Sequence, residues 1–171
     1  MRATPRASLA AVAIVVVALT SLAAPLAAGA APGHEVPFKG SLAGLETNDG
    51  QFPLVHIEGE GTGNATQLGL FTYDNPHDVN LLTRHGCGTW TFTAANGDTV
   101  TAVGCGDATV ISGRPPFAVL SIVETGDITG GTGRFAGATG SFTVERTFDQ
   151  TTGVTTGSFE GTISSTGVSK H

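Results

Sequence analysis

Charge, aromatic side chains and sulfur are all scarce in this sequence of 171 residues: 13% are charged, 6% are aromatic, and there are two Cys, one Met, one Trp and one Tyr. So little Lys and Glu, set against 25 Gly, excludes a long coiled coil. An apolar content of 40% is equally wrong for a disordered chain. The length leaves no room for a large two-domain enzyme and suits a single domain. Familiar catalytic signatures are missing too. There is no Gly-x-Ser-x-Gly elbow, no His-Glu-x-x-His pair, and no long stretch after residue 30 with helical periodicity.

What is present begins with an export signal. Arg2 and Arg6 precede an apolar run from Leu9 to Leu22, and Ala28-Gly29-Ala30 follows. A basic start, an apolar middle and small residues at the end read as a secretory signal peptide over residues 1–30, with an extracellular location expected. Cleavage is placed after Ala30, because a cut one residue later would leave Pro32 first. Thr20, Ser21, Pro25 and Gly29 favour the signal over an uncleaved anchor. Residues 31–171 are then one domain. Residues 1–30 hold two of the eight Lys and Arg and none of the fourteen Asp and Glu, so the remainder carries a formal charge of −8. An acidic surface without a Lys/Arg cluster is a poor partner for nucleic acid or anionic lipid. No second apolar run follows, so no membrane association is expected after cleavage.

Both cysteines lie in the exported part, flanking an alternating strand, an Asn-Gly turn and a second alternating strand. If Ala95-Asn96-Gly97 is a three-residue loop with Gly97 left-handed, Ala94 pairs with Asp98 and the register sets Cys87 opposite Cys105. That position is a non-hydrogen-bonded pair, whose short Cα separation suits a disulfide. The same register puts Trp90, Phe92, Val100 and Ala102 on one face, expected to be buried. Thr89, Thr91, Thr93, Thr99, Thr101 and the disulfide fall on the wet face.

Further short strands are expected at Val36–Leu42, Leu54–Glu58, Leu68–Tyr73, Val79–Arg84 and Phe117–Glu124, with a last hairpin of Phe142–Phe148 and Val154–Ile163. Many short strands separated by Gly-rich turns mean an antiparallel barrel or sandwich. Within this pattern, Ile128-Thr-Gly-Gly-Thr-Gly-Arg-Phe-Ala-Gly-Ala-Thr-Gly140 and the strand after it resemble the glycine-rich turn of the dirigent and allene oxide cyclase barrels, most of all their bacterial secreted relatives. The resemblance implies an all-β, eight-stranded antiparallel barrel around an apolar cavity, and the trimeric assembly frequent in that superfamily. In physical terms Gly130, Gly131 and Gly133 permit positive φ and close backbone approach, Phe135 can plug the barrel end, and Gly137 and Gly140 permit a sharp return. No Lys-Ser/Thr pair closes the run and no helix follows it, so it is not a phosphate loop.

Chemistry in such a fold must come from polar groups on inward faces. Phe142, Val144, Arg146 and Phe148 share one face of their strand, and Ala118, Leu120, Ile122 and Glu124 share one face of theirs. A Glu124 and Arg146 pair inside the cavity is the candidate polar anchor; both residues solvated at strand ends is the commoner arrangement. The candidate ligand-binding residues are Trp90, Phe92, Leu120, Ile122, Glu124, Phe142, Val144 and Arg146. Tyr73 is expected as a rim aromatic, and His56 and Glu58 are expected to face water. The spacing of His77, Asp78 and His85 matches no zinc pattern, so neither metal nor cofactor is expected. Asn64-Ala65-Thr66 is a glycosylation sequon. Three readings of function follow: a barrel binding a small apolar molecule, a dirigent or cyclase-like isomerase orienting a reactive apolar intermediate, and an envelope-associated structural protein with a filled barrel. With no acid/base constellation and no catalytic residue legible, the binding reading leads.

Overall fold

A computed structural model describes residues 34–164, so the expected signal segment, residues 1–30, lies outside the described residues. Eight strands follow in order: β1 (Glu35–Gln51), β2 (Leu54–Ala65), β3 (Gly69–Asn80), β4 (His85–Ala94), β5 (Thr99–Ser112), β6 (Val119–Gly131), β7 (Thr139–Asp149) and β8 (Val154–Ser164). Each pairs antiparallel with the next, and β8 returns to β1, closing the barrel. Closure removes every open sheet edge. The only helical piece among the described residues is a short 3-10 turn, Gly133–Phe135.

Alternation of side chains between interior and solvent explains the strand pattern. Phe38 and Leu42 on β1, Trp90 and Phe92 on β4, Val100 and Ala102 on β5, and Phe142 and Val144 on β7 are all buried, with half-buried or exposed residues between them. The β4–β5 hairpin has the expected register: Thr93 pairs with Thr99, Cys87 with Cys105, and Ala94 N–H donates to Asp98 O at 2.9 Å across a loop with Gly97 at φ 86°. Cys87 and Cys105 form an exposed disulfide with Cα atoms 4.1 Å apart, as a non-hydrogen-bonded pair requires.

One expected strand is different. Separate strands are expected at Leu68–Tyr73 and Val79–Arg84, but Gly69–Asn80 runs through Pro76 as the single strand β3 and Leu81–Arg84 is a turn. The β3–β4 ladder lapses at Asn75 and Pro76 and resumes in the same register with His77 opposite Gly88. Proline has no N–H to donate there, and the Asn75 side-chain amide donates to Thr89 O at 2.9 Å instead. Asn80 makes the turn by accepting from Leu82 N–H at 2.9 Å through its side chain and from Arg84 N–H at 2.7 Å through its carbonyl. The Phe117 strand also starts later, at Val119, which leaves Phe117 in the preceding loop.

The two barrel ends differ. At one end Phe38, Phe71, Phe92, Phe142 and Phe159 pack edge-to-face or tilted, with centroid separations between 4.9 and 6.1 Å. The glycine-rich segment closes this end. Phe135 is buried in the aromatic core, as the plug reading expects. Gly133 sits at φ 56°, where a side chain would be strained and its Cβ would strike the Asp98 carboxylate. Arg134 then ties three loops together, its backbone N–H donating to Asp98 and its guanidinium to Gln67 O at 2.9 Å. The start of the same segment is a β-bulge, where the β5–β6 register shifts between Thr101 and Ala102.

Replacing both Cys87 and Cys105 by Ala should lower the unfolding free energy by about 3 kcal/mol, the value for closing a loop of this size, read from denaturant unfolding. The unreduced wild-type protein should take up no iodoacetamide by mass measurement.

Candidate functional site

The other end of the barrel is open. A cavity of about 300 Å³ enters between the β1–β2, β3–β4, β5–β6 and β7–β8 loops. Its wall is apolar, with Val55, Ile57, Val79, Leu120, Ile122 and Phe148 among the lining residues; Glu46, His77, Glu124 and Arg146 bring charge and polarity to it.

The polar group is built from four strands. Glu124 on β6 pairs in register with Val144, and Ile122 with Arg146, so Glu124 and Arg146 sit diagonally on neighbouring strands. Arg146 Nε donates to Glu124 Oε2 at 2.8 Å. Its Nη1 crosses β8, donating to Thr155 Oγ1 at 3.2 Å, and reaches Glu46 Oε1 on β1 in a close ion pair. Only 4% of Arg146, 7% of Glu124 and 8% of Glu46 is exposed. The expected arrangement of both Glu124 and Arg146 in solvent is therefore not what forms: they meet inside the barrel.

Glycine makes the room. A Cβ on Gly106 would strike the Glu124 side chain, and one on Gly157 would strike Arg146. Burial sets the electrostatics. Desolvation pushes the Glu124 carboxyl up to about 7, against a Trp90 side-chain hydrogen bond that favours the anion. Desolvation also lowers Arg146 to about 10, still cationic at neutral pH. Tyr73 is pushed up to about 12 by burial first and by the Glu124 charge second. Its hydroxyl is buried with no hydrogen-bond partner. His77 Nδ1–H donates to Asn75 O at 2.9 Å, which leaves Nε2 as the acceptor of a neutral ring, and burial lowers its pKa.

Of the residues expected to bind ligand, Leu120, Ile122, Glu124 and Arg146 line the cavity. Trp90, Phe92, Phe142 and Val144 belong instead to the packed core, with Trp90 stacked on Phe92 and bonded to Glu124 beneath the cavity. Tyr73 is 2% exposed and packs on Trp90, so it is a core residue and not a rim aromatic. His56 and Glu58 face water as expected, in a chain of exposed contacts with Asp78. His85 pairs with Asp107 at 3.0 Å on the outer wall and lies beside the disulfide; both sulfurs there are engaged with each other.

Two cavity residues were not expected there: Glu46, and His77, which the sequence offers only as a poor metal-ligand candidate. The signal for Glu46 is present in the sequence, since Phe38, Leu42 and Glu46 are in phase on one alternating strand that continues past Leu42. His77 was hidden by Pro76. In phase with Phe71, Tyr73 and Asn75 it faces inward.

No protein-family model matches this chain, and no curated protein matches it. Among solved structures it is similar to the pterocarpan synthase dirigent protein GePTS1, with a TM-score of 0.56 and 14% identity over 82% of this chain and 93% of that one. At that identity the likeness establishes a dirigent-like barrel fold and no activity.

Two outcomes test the buried cluster. Arg146→Met leaves Glu46 and Glu124 buried without their cation and should destabilise by about 3–5 kcal/mol in denaturant unfolding. Adding Glu46→Gln and Glu124→Gln should recover most of that loss. The second outcome concerns pH. Glu124 titrates near 7 when folded against an ordinary 4.5, so its contribution is fully present below pH 4.5 and is lost as pH rises through about 7. His77 acts in the opposite sense below its ordinary 6.5. The difference between wild type and Glu124→Gln isolates the carboxyl, and wild type should lose stability relative to the variant across that window.

Proposed function

We propose that this protein binds one small, largely apolar molecule in the open half of the barrel, with an oxygen or nitrogen of the molecule set against Glu46, Arg146 and Glu124, and that it acts as a binding protein. The observation that carries this reading is the division of the interior. Aromatic rings fill one half, while the other holds an apolar-walled cavity with a few convergent polar groups. That combination is the usual form of a small-molecule site, and the volume is at the lower end of the range for such pockets. Export to the extracellular space is part of the proposal, supported by the residue order of the first thirty positions and by an exposed disulfide suited to an oxidising compartment. Trimeric assembly is proposed on the resemblance of the glycine-rich segment alone.

A second reading is favoured by one observation. A carboxyl that titrates near 7 beside a fixed guanidinium can both give and take a proton at neutral pH. In a water-poor cavity this would suit a dirigent or cyclase-like isomerase that orients a reactive apolar intermediate. Here Glu124 would move the proton and Arg146 would hold an oxygen of the intermediate.

Binding of the neutral probe N-phenyl-1-naphthylamine tests the first reading. One saturable site per chain is expected, with a change in Trp90 fluorescence and at least about a tenfold loss of affinity in Ile122→Arg, which places a charge in the apolar wall. Absence of saturable binding by the wild type would remove the reading. The isomerase reading requires turnover of a cyclisable apolar substrate that Glu124→Gln abolishes while the probe still binds.

A further inference from the structure

Two of the nine phenylalanines are strongly exposed, and both stand at the open end of the barrel. Phe52, in the β1–β2 loop, is 70% exposed and Phe117, in the β5–β6 loop, is 71% exposed. Leu82, in the β3–β4 loop between them, is 67% exposed, and Leu54 and Leu81 beside these tips are exposed as well. Apolar side chains at loop tips are costly to leave in water when they cluster, and such clusters mark interaction sites.

These tips are held in place. Leu81 N–H donates to Pro53 O at 2.8 Å, Ala108 N–H to Arg84 O at 2.9 Å, Gln150 N–H to Ala118 O at 3.0 Å, and Glu46 N–H to Gly153 O at 2.8 Å. Each bond ties one mouth loop to a neighbouring loop or strand, so the ring of loops presents its apolar residues from a braced frame. The charge carried by the loop segments themselves is one-sided. Between the strands, the four mouth loops contain Arg84 and Arg114 and no Asp or Glu, in a sequence with fourteen acids. Asp49, Asp107 and Asp149 lie on the adjoining strands; Asp107 is paired with His85 at 3.0 Å, and Asp149 accepts from Thr151 N–H at 2.8 Å within its own turn.

We propose that this rim docks on a lipid surface containing anionic headgroups, with Phe52, Leu82 and Phe117 entering the interface and Arg84 and Arg114 meeting the headgroups. Aromatic and aliphatic tips flanked by arginine are the chemistry of interfacial insertion. The acidic total of the chain does not oppose this, because charges further from the surface than about 8 Å are screened at physiological salt. The average charge of the sequence argued against lipid; the rim is the part that would touch it. Docking there faces the cavity mouth toward the phase in which an apolar molecule concentrates, a role that rests on the binding reading, whereas the docking itself does not.

Flotation with vesicles tests the proposal, using residues 31–171, whose barrel closes within residues 35–164. The vesicles are phosphatidylcholine with and without phosphatidylglycerol. The wild type is expected to float with the mixed vesicles. Phe52→Ser/Leu82→Ser/Phe117→Ser should bind them at least about tenfold more weakly, and Arg84→Gln/Arg114→Gln should weaken binding to the mixed vesicles only. Val103→Ser/Val123→Ser, on the outer wall, should float like wild type. Thermal melts and N-phenyl-1-naphthylamine binding without lipid, both retained in the triple variant, show that the fold and cavity survive. The proposal is overturned if wild type does not float, if the triple variant floats equally well, or if sedimentation shows wild-type self-association that the triple variant lacks. The last result would make a second copy the occupant of the rim. Failure of the probe to bind wild type removes the cavity reading and leaves the vesicle result standing.

Discussion

A closed barrel of eight strands encloses an interior of set width, and that interior must be filled by side chains or left open. This chain has few side chains large enough to fill it. It concentrates them: Phe38, Phe71, Phe92, Phe142 and Phe159 pack together, Phe135 plugs them from below, and Trp90 and Tyr73 cover them from above. Edge-to-face and offset ring pairs add about 0.5–1.5 kcal/mol each beyond burial of their area. A dense aromatic half supports the barrel, and the other half is free to be a cavity.

The boundary between the halves is polar. Arg146 held between Glu46 and Glu124 is an expensive arrangement, since each buried ion loses hydration that pairing must offset. Hydrogen bonds from Arg146 to Thr155 and to both carboxylates, and from Trp90 to Glu124, meet that requirement. Replacement by apolar residues of similar volume is often neutral or favourable for stability. The charge at the bottom of the cavity is therefore not required by packing, which agrees with the binding role proposed for it.

The two ends of the barrel follow from their loops. At the closed end glycine lets the β6–β7 segment pass close to its neighbours, and Arg134 and Asp98 lace the loops shut. At the open end backbone hydrogen bonds between loops hold the mouth in shape without covering it. Apolar tips therefore remain on a braced rim around an apolar cavity, a layout that joins the proposed ligand to the proposed route by which it arrives.

Much of this was legible in local pattern. Alternation, the Asn-Gly turn and the cysteine spacing are short-range signals, so the β4–β5 hairpin, its disulfide and the inward set of Trp90, Phe92, Val100 and Ala102 could be read directly. Glu124 and Arg146 could be put on inward faces by the same alternation. Where local signals weaken, less is legible: Pro76 stands next to His77 in β3, and β1 continues past Leu42 to carry Glu46 inward. Local pattern alone specifies an all-β chain with a covalent staple and inward-facing charge. Barrel closure adds that β1 lies across β8 from β7, which brings Glu46 to Arg146, and that Trp90, Phe92, Phe142 and Val144 pack as core while Leu120 and Ile122 line open space. Period-two alternation says which side of a strand a residue faces. Its height along the barrel, and what stands opposite, depend on the register of all eight strands around a closed ring.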